Sequence, residues 1–549
     1  MFTRIKKASP YEYLQIVENQ WRDGKSCQRV IGTIGRVDRL RERGSIDQLL
    51  RSLAKHSERA LLLLAGASDP NADVVKIGPG LIFERLWESS GIKKVIKDLL
   101  GGYKFGFDVE RAIFLTVLHR LFCSGSDRQA ERWRKGYRIK GVEKIQLHHL
   151  YRAMAWLGSP LVSEEQAGAT PFAPRCIKDV IEEKIFARNR DLFTELNIVF
   201  LDTTSLYFEG EGGETIGQRG HSKDQRPDLK QMVVGVVLDG EGTPICCELW
   251  PGNTTDVKSL LPVVDRLRKR FHINQTCVVA DRGMISKKTI EELEKPLRGL
   301  KYILGVRMHK QKEVSREVLS RAGAHRVVHP ERNHSKDPSP LKVKEVRMED
   351  RRYIICYNPE QARKDAQDRQ AIVESLRDKL KQGDKSLVGN KGYRRYLRSQ
   401  GPHFVIDDKK VEENARYDGK WVLRTNTDLP AEEVALNYKQ LWTVEKIFRD
   451  TKSLLQTRPI FHKRDETIRG HVFSSFLALL VRKELDQLLQ KAGCKFEWQQ
   501  IKEALRGLQE TRIEEDEKVL FVRSQSQGCC GKVFQAVGVA FPPTLRSEP

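Results

Sequence analysis

The chain has 549 residues, more than a single hydrophobic core normally holds, so two to four domains are expected. Hydrophobic residues make up 39% and charged residues 31%, with a mean hydropathy of −0.52, which describes a water-soluble globular chain and excludes a membrane-embedded one. Lys and Arg number 97 against 74 Asp and Glu, and the resulting net charge of +23 is spread along the chain. Such a surplus draws polyanions, nucleic acid before anionic membrane.

No stretch approaches the roughly 20 apolar residues that span a bilayer. The longest, Leu61–Ala67 and Phe476–Val481, read as core helix. The opening Met1-Phe2-Thr3-Arg4-Ile5-Lys6-Lys7 has no apolar core of a secretory signal. Ten cysteines make no C-x-x-C pair, only the neighbours Cys246-Cys247 and Cys529-Cys530, so neither a zinc ribbon nor a disulfide framework is indicated. A reduced, cytoplasmic protein is expected.

Residues 1–60 mix strand and turn signals with many charges. From 61 to 195 the pattern turns helical, with apolar residues three and four apart in Leu81–Leu100, Val109–Phe122 and Lys178–Leu196. At Asn197 short β-branched runs begin: Ile198–Leu201, Met232–Leu238, Ile245–Leu249, Cys277–Ala280 and Tyr302–Val306. Helical patterns at 256–271 and 286–296 lie among them, so the segment 196–306 predicts a mixed α/β sheet. Residues 307–430 are basic and irregular. They hold a loop (His325–Ser339), a hairpin (Lys342–Met348 with Arg352–Tyr357), a charged helix (Glu360–Lys381) and strands up to Trp421–Thr425, and read as an inserted subdomain. A long helix follows at 431–456, more helix to about 508, and a tail from 511 to 549.

Two places repeat one arrangement, four apolar residues and then an Asp: Ile198-Val199-Phe200-Leu201-Asp202 and Cys277-Val278-Val279-Ala280-Asp281. An Asp in or ending a buried strand is costly unless it is paired, hydrogen-bonded or on a metal. Strand C-termini of open α/β sheets are where sites assemble. Either Asp alone also suits a turn cap; two in one sheet favour a site. On the following helix Tyr438, Glu445 and Lys452 are seven apart, which on continuous helix drifts only about 20° per step and puts them on one stripe. Leu441, Val444, Phe448 and Leu455 form the adjoining apolar stripe. An i,i+4 pair of Glu445 with Arg449 on a solvated face is the competing reading.

These residues carry a resemblance. Asp202 in LDTTSLYFEG, Asp281 in VVADRGMIS, and Tyr438, Glu445 and Lys452 resemble the catalytic core of bacterial insertion-sequence transposases of the DDE class. The narrower resemblance is to the group with a Tyr-x2-Arg-x3-Glu-x6-Lys signature. The stretches GHSKDQRPDLKQMVVG (220–235), GTPICCELWPGNTTD (242–256) and RPIFHKRDETIRGHVFSSFLALL (458–480) agree in order and spacing, over roughly 180–480. One position departs: the signature's Arg is Leu441, so its DNA contact falls to Lys439 or Arg449.

The resemblance implies a ribonuclease-H-like α/β core, with a helical N-terminal region and a largely β insertion before the Glu-bearing helix. It implies that 61–195 binds the element ends, that 196–306 is the first part of the core, and that 431–510 carries the catalytic Glu helix. Asp202, Asp281 and Glu445 would be the catalytic carboxylates and metal ligands, and Tyr438, Lys452, Arg449 and Arg282 would contact DNA. Three converging carboxylates suit two Mg²⁺ ions, with Mn²⁺ able to substitute, that clamp the attacking and leaving oxygens of an in-line phosphoryl displacement. No side-chain nucleophile, and so no covalent protein–DNA intermediate, is required. The implied partners are double-stranded DNA, as element ends and target, and a second copy of the chain in a synaptic dimer; a nucleoid-associated place in a bacterial cytoplasm follows.

Other signals are weaker. Asp23-Gly24-Lys25-Ser26 ends like a Walker A loop but lacks the earlier Gly. His148, His149, His221 and His471 have no paired ligand spacing. Arg128, Arg132, Arg134 and Lys135 suggest a helix-turn-helix for element ends. Leu201-Asp202-Thr203-Thr204 resembles the aspartyl-phosphate loop of haloacid-dehalogenase-like phosphatases, but Thr204 stands where that loop wants a second Asp. A DNA-binding protein without catalysis is the remaining alternative, against which all three carboxylates are present.

Overall fold

The computed structural model describes residues 2–22, 25–42, 45–54, 72–166, 169, 174–189, 198–271, 273, 276–295, 300–334, 337–381, 395–400, 403–454, 457–515 and 518–548. Asp23, Gly24, the apolar run Leu61–Ala67, Asn197 and Leu455 lie outside these residues. The chain divides into two compact units, Met1–Ile82 with Lys135–Arg138 and Cys494–Pro549, and Phe83–Arg134 with Ile139–Gly493.

Strands are numbered along the chain. In the first unit β1 (Phe2–Ala8), β2 (Tyr11–Arg22) and β3 (Lys25–Arg36) form an antiparallel sheet in that order. β4 (Ala72–Lys76) pairs with β16 (Gln509–Glu515), which continues to β17 (Lys518–Arg523) and β18 (Leu545–Glu548). Much of the stretch expected as a tail is therefore folded. Leu520 and Phe521 bury their side chains, and the Glu510 carboxylate takes charge-assisted bonds from Arg138 and from Arg546 Nε at 3.0 Å.

The second unit is built on a nine-stranded mixed sheet of β5 (Ile198–Tyr207), β6 (Gln231–Asp239), β7 (Pro244–Pro251), β8 (Cys277–Ala280), β9 (Lys301–Gly305), β10 (Arg326–His329), β11 (Leu341–Met348), β12 (Arg351–Tyr357) and β15 (Lys420–Thr425). Their order is β10-β11-β12-β15-β9-β8-β5-β6-β7. Only the β5–β8 and β8–β9 pairs are parallel. All five strands expected between 198 and 306 are present; four agree within two residues of their expected bounds, β8 residue for residue, while β5 runs six residues beyond its expected end at Leu201.

The segment 307–430 departs from a separate insertion. β10, β11, β12 and β15 continue the same sheet, because the free edge of β9 pairs with β15 through Leu423↔Gly305, Arg424↔Leu304 and Thr425↔Ile303. An open edge of that kind needs a partner. Between β12 and β15 the chain adds the 23-residue helix Pro359–Lys381, the hairpin β13 (Leu397–Gln400) with β14 (His403–Ile406), and helix Asp408–Ala415.

Side chains alternate across β5. Val199 and Leu201 pack with Leu260, Val263, Val264, Leu267 and Phe271 of helix Asp256–Phe271 and with Ile290 and Leu293 of helix Lys287–Glu294. Helix Ile177–Asn189 joins this layer through six buried charges. Lys178 Nζ bonds Asp179 Oδ1 at 2.7 Å and the Cys247 carbonyl at 2.9 Å; Glu182 accepts from the Cys247 amide; Arg266 is paired to Glu248; and Arg270 Nη2 lies 3.5 Å from Asp179 Oδ1. Helix Val109–Phe122 is buried along its whole length, so it does not lie in a DNA groove, and it packs on helices Leu147–Leu157 and Asp465–Lys491. The expected helix Leu81–Leu100 is two, Gly78–Ser89 and Ile92–Leu100, parted at Gly91, whose φ of +78° ends regular helix.

The long helix expected over 431–456 is broken too. It runs Ala431–Lys439, then Trp442–Arg449, then a π-helical turn Asp450–Leu454. At the break Gln440, Leu441, Thr443 and Val444 donate to carbonyls three residues back. This tightens the turn and resets the phase of everything downstream. Tyr438, Glu445 and Lys452 consequently share no stripe. Leu441, Val444 and Phe448 remain buried, as their spacing predicts. Restoring the signature with Leu441→Arg should therefore bury a guanidinium and cost roughly 1–3 kcal/mol or more, read as a lower Tm, with no gain in DNA affinity.

Candidate active site

Asp202 sits in the middle of β5, and Asp281 is the residue after β8. The parallel register pairs Leu201 with Ala280, so the two carboxylates arise at the same step of neighbouring strands. Alternation turns Thr203 toward helix Asp256–Phe271, whose first residue accepts a 2.7 Å bond from Thr203 Oγ1 on Asp256 Oδ1. Asp202 faces the opposite side, where helix Trp442–Arg449 packs against β5.

Each carboxylate is held. Asp202 Oδ1 accepts from the Thr203 amide at 2.7 Å, and Asp281 Oδ1 accepts from the Tyr438 hydroxyl at 2.9 Å. Burial, and then the Asp281 charge, hold the Tyr438 phenol protonated well above its ordinary range. Gly305, at the end of β9, leaves room for that hydroxyl: a Cβ there would collide with it. Arg307 fixes the turn after Asp281, its Nε and Nη2 donating to the carbonyls of Arg282 and Gly283 at 3.0 and 3.1 Å.

A third carboxylate, Asp256, faces this place. Its Oδ2 lies 3.5 Å, and Asp281 Oδ2 3.9 Å, from where a Cβ on Gly283 would stand. Lys223 Nζ bonds Asp256 Oδ2 at 3.1 Å, Thr203 Oγ1 at 2.9 Å and the Thr203 carbonyl at 2.7 Å. Beside these residues opens a cavity of about 450 Å³ lined by His221, Lys223, Asn253, Asp256, Gly283 and Arg307 among others. Lys223, Asp256, Gly305 and Arg307 were not singled out in the sequence. The position of Asp256 at the first turn of an amphipathic helix, after a Gly-Asn-Thr-Thr turn, is the signal that could have marked it.

Burial raises the Asp202 carboxyl to about 6; Lys223 and the Thr203 amide oppose the rise, and the charges of Asp281 and Asp256 add to it. The native state thus holds this proton more tightly than the unfolded chain, and ionising Asp202 costs stability as pH rises from about 4 through 6. In EDTA, Asp202→Asn should be more stable than the parent by up to about 3 kcal/mol at pH 8, a Tm advantage that shrinks as pH falls toward 5. A buried carboxylate facing others is also where a hard dication is stabilised. The oxygen donors of Asp202 and Asp281 fit Mg²⁺ or Mn²⁺ better than a soft metal.

The remaining residues are placed differently. Glu445 is on the exposed side of its helix, and its carboxylate has no hydrogen bond or ion pair among the described residues. Arg282 and Arg449 are exposed. Lys452 Nζ is bonded to Asp224 at 2.7 Å. Arg128 and Arg132 are exposed on the short helix Asp127–Trp133.

Elsewhere in this unit Asp127, His462 and His471 bring one donor atom each within 4.8 Å of one another and could hold a metal ion. Arg120 Nη2 stands 2.9 Å from His471 Nδ1, and His471 Nε2 is 3.1 Å from the Thr457 carbonyl, so a cation would have to displace the guanidinium. Among the described residues no helix is long and apolar enough to cross a membrane.

Comparison with known proteins adds two family matches. Residues 194–481, just over half of the chain, match the transposase DDE domain, and residues 2–69 match the N-terminal domain of IS1634 family transposases. No curated protein matches. Among solved structures, the synaptic complex of piggyBac transposase with hairpin DNA aligns over 78% of this chain and 79% of that one, at 10% identity and a TM-score of 0.37. The mixed sheet flanked by helices agrees with the ribonuclease-H-like fold of DDE domains. With Asp202 and Asp281 at its centre and the matched domain spanning most of its second unit, the chain belongs to the DDE transposase family.

Proposed function

We propose that this protein is the transposase of a bacterial insertion sequence, binding the element's terminal inverted repeats, cleaving there and joining the ends to target DNA. The observation that carries the reading is the register-matched pair Asp202 and Asp281, with Tyr438 of the signature hydrogen-bonded to Asp281. Asp202 and Asp281, joined by Glu445 when its helix meets DNA, would hold two Mg²⁺ ions. When bound, such ions polarise the scissile phosphodiester and make water, or a DNA 3′-hydroxyl, a competent nucleophile.

The chain's own residues do the positioning. The Thr203 amide and the Tyr438 hydroxyl fix one oxygen of each Asp, leaving the others to face the reacting phosphate. Lys223 offsets negative charge beside Asp202. Arg307 keeps the Asp281 turn in place. No side chain serves as nucleophile, so no protein–DNA bond forms. Arg282 and Arg449, exposed near these residues in sequence, would contact the DNA backbone, and the helical region 61–195 would bind element ends. Two ends must be joined at once, which requires a synaptic dimer, in a bacterial cytoplasm at the nucleoid.

The test is conversion of supercoiled plasmid to nicked or linear forms. Mg²⁺ or Mn²⁺ should support it, Ca²⁺ should support DNA binding with little cutting, and EDTA should stop it. Full cutting in EDTA would sink the metal-dependent mechanism; intact plasmid under every condition would favour a phosphatase or a catalytically silent binder.

A further inference from the structure

Lys452 and Arg458 converge on a single carboxylate oxygen. Asp224, in the loop between β5 and β6, accepts from Lys452 Nζ at 2.7 Å and lies 3.1 Å from Arg458 Nη1, both through Oδ1. Its side chain is only 5% exposed, and Oδ2 is buried with no hydrogen-bond partner among the described residues. A buried carboxylate oxygen left unpaired is costly, so the carboxylate matches this place poorly. Burial pulls the Lys452 ammonium below its ordinary range, and Asp224 opposes that pull.

The surroundings suit an anion of another shape. The Arg458 guanidinium lies over the Tyr207 ring at 5.5 Å, and Arg226 lies over the same ring at 5.6 Å. The loop is held here by the Lys223 amide bonded to Ser205 Oγ at 2.8 Å, and by the Asp224 and Arg226 amides bonded to Ser222 Oγ at 3.3 and 3.1 Å. A phosphodiester offers two non-bridging oxygens, one for each cation, where Asp224 shares one between them.

We propose that Lys452 and Arg458 form a phosphodiester-binding site for DNA, and that Asp224 fills it in the DNA-free chain and leaves it when DNA arrives. The inference rests on the reading of DNA as substrate. It adds Arg458 to the signature's Lys452 and gives the 220–230 loop the task of keeping both cations neutralised until DNA binds.

The experiment measures affinity for an arbitrary-sequence DNA duplex against salt, using the full chain. Asp224→Asn removes the competitor from the DNA-free chain, so binding should tighten several-fold, while the slope of log K against log[salt] stays as in the parent, whose bound state makes the same phosphate contact. Asp428→Asn, which makes the same charge change at an exposed carboxylate, should leave the affinity nearly as it was. The gain should vanish when Asp224→Asn is combined with Lys452→Gln and Arg458→Gln. Unchanged affinity in folded Asp224→Asn, or a gain that survives loss of both cations, would overturn the site. Should Asp224→Asn fail to fold, Lys452→Gln with Arg458→Gln in the parent chain decides: a slope shallower by about 1 supports the site, and an unaltered slope overturns it. Plasmid nicking on the same preparation separates the readings, since its absence would count against transposition while the affinities still judge the phosphate site.

Discussion

Asp281→Asn should lower metal-dependent DNA cleavage by about three orders of magnitude or more, and Asp202→Asn by a similar factor, with DNA affinity nearly intact. Each change preserves shape and removes one anionic donor that, on the proposed mechanism, would hold a metal ion against the reacting phosphate. Tyr438→Phe is the informative companion. It leaves both carboxylates and removes only the 2.9 Å bond that orients Asp281, so a loss of one to two orders in rate is expected. Rates measured at saturating Mn²⁺ check both. Comparable cleavage by Asp281→Asn would remove that residue from the site.

The largest stability effect is expected at Arg266. Its guanidinium, 4% exposed, is ion-paired with Glu248 and lies 3.9 Å from Asp179, inside a layer sealed by helices Ile177–Asn189 and Asp256–Phe271. Arg266→Met leaves the Glu248 carboxylate buried without its counter-charge and should cost about 3–5 kcal/mol. Adding Glu248→Leu removes the stranded charge and should recover most of that loss. Urea midpoints of the two variants test the expectation. A single variant as stable as the parent would show that solvent reaches this cluster.

The two Asp residues stand out in the sequence because a carboxylate directly after four apolar residues breaks the local pattern, and it does so twice, although β5 runs on through Asp202 where β8 ends before Asp281. Helix Val109–Phe122 and strand Cys277–Ala280 were legible to the residue because their periodicity has no competitor. The helix carrying Glu445 was legible in extent but not in phase: a spacing of seven assumes unbroken 3.6-residue turns, and the tightening at Gln440–Leu441 with the π turn after Arg449 violates it. Asp256 and Lys223 were invisible for a different reason. They are 33 residues apart in sequence, and only the fold closes that distance. The extension of the sheet through β10–β12 and β15 was missed because strand signals say that a segment pairs, not with which edge.

That continuous hydrogen-bond ladder has a consequence for trimming the protein. A module attached by two linkers can be excised and its ends rejoined; residues 307–430 cannot, because β15 is the neighbour of β9, and β9 is the neighbour of β8, the strand just before Asp281. Cutting at those bounds would strip β9 of its partner and expose a bare edge beside the candidate site, a template for self-association. Tags and fused domains belong instead in the β13–β14 hairpin, whose two strands, among the described residues, pair only with each other.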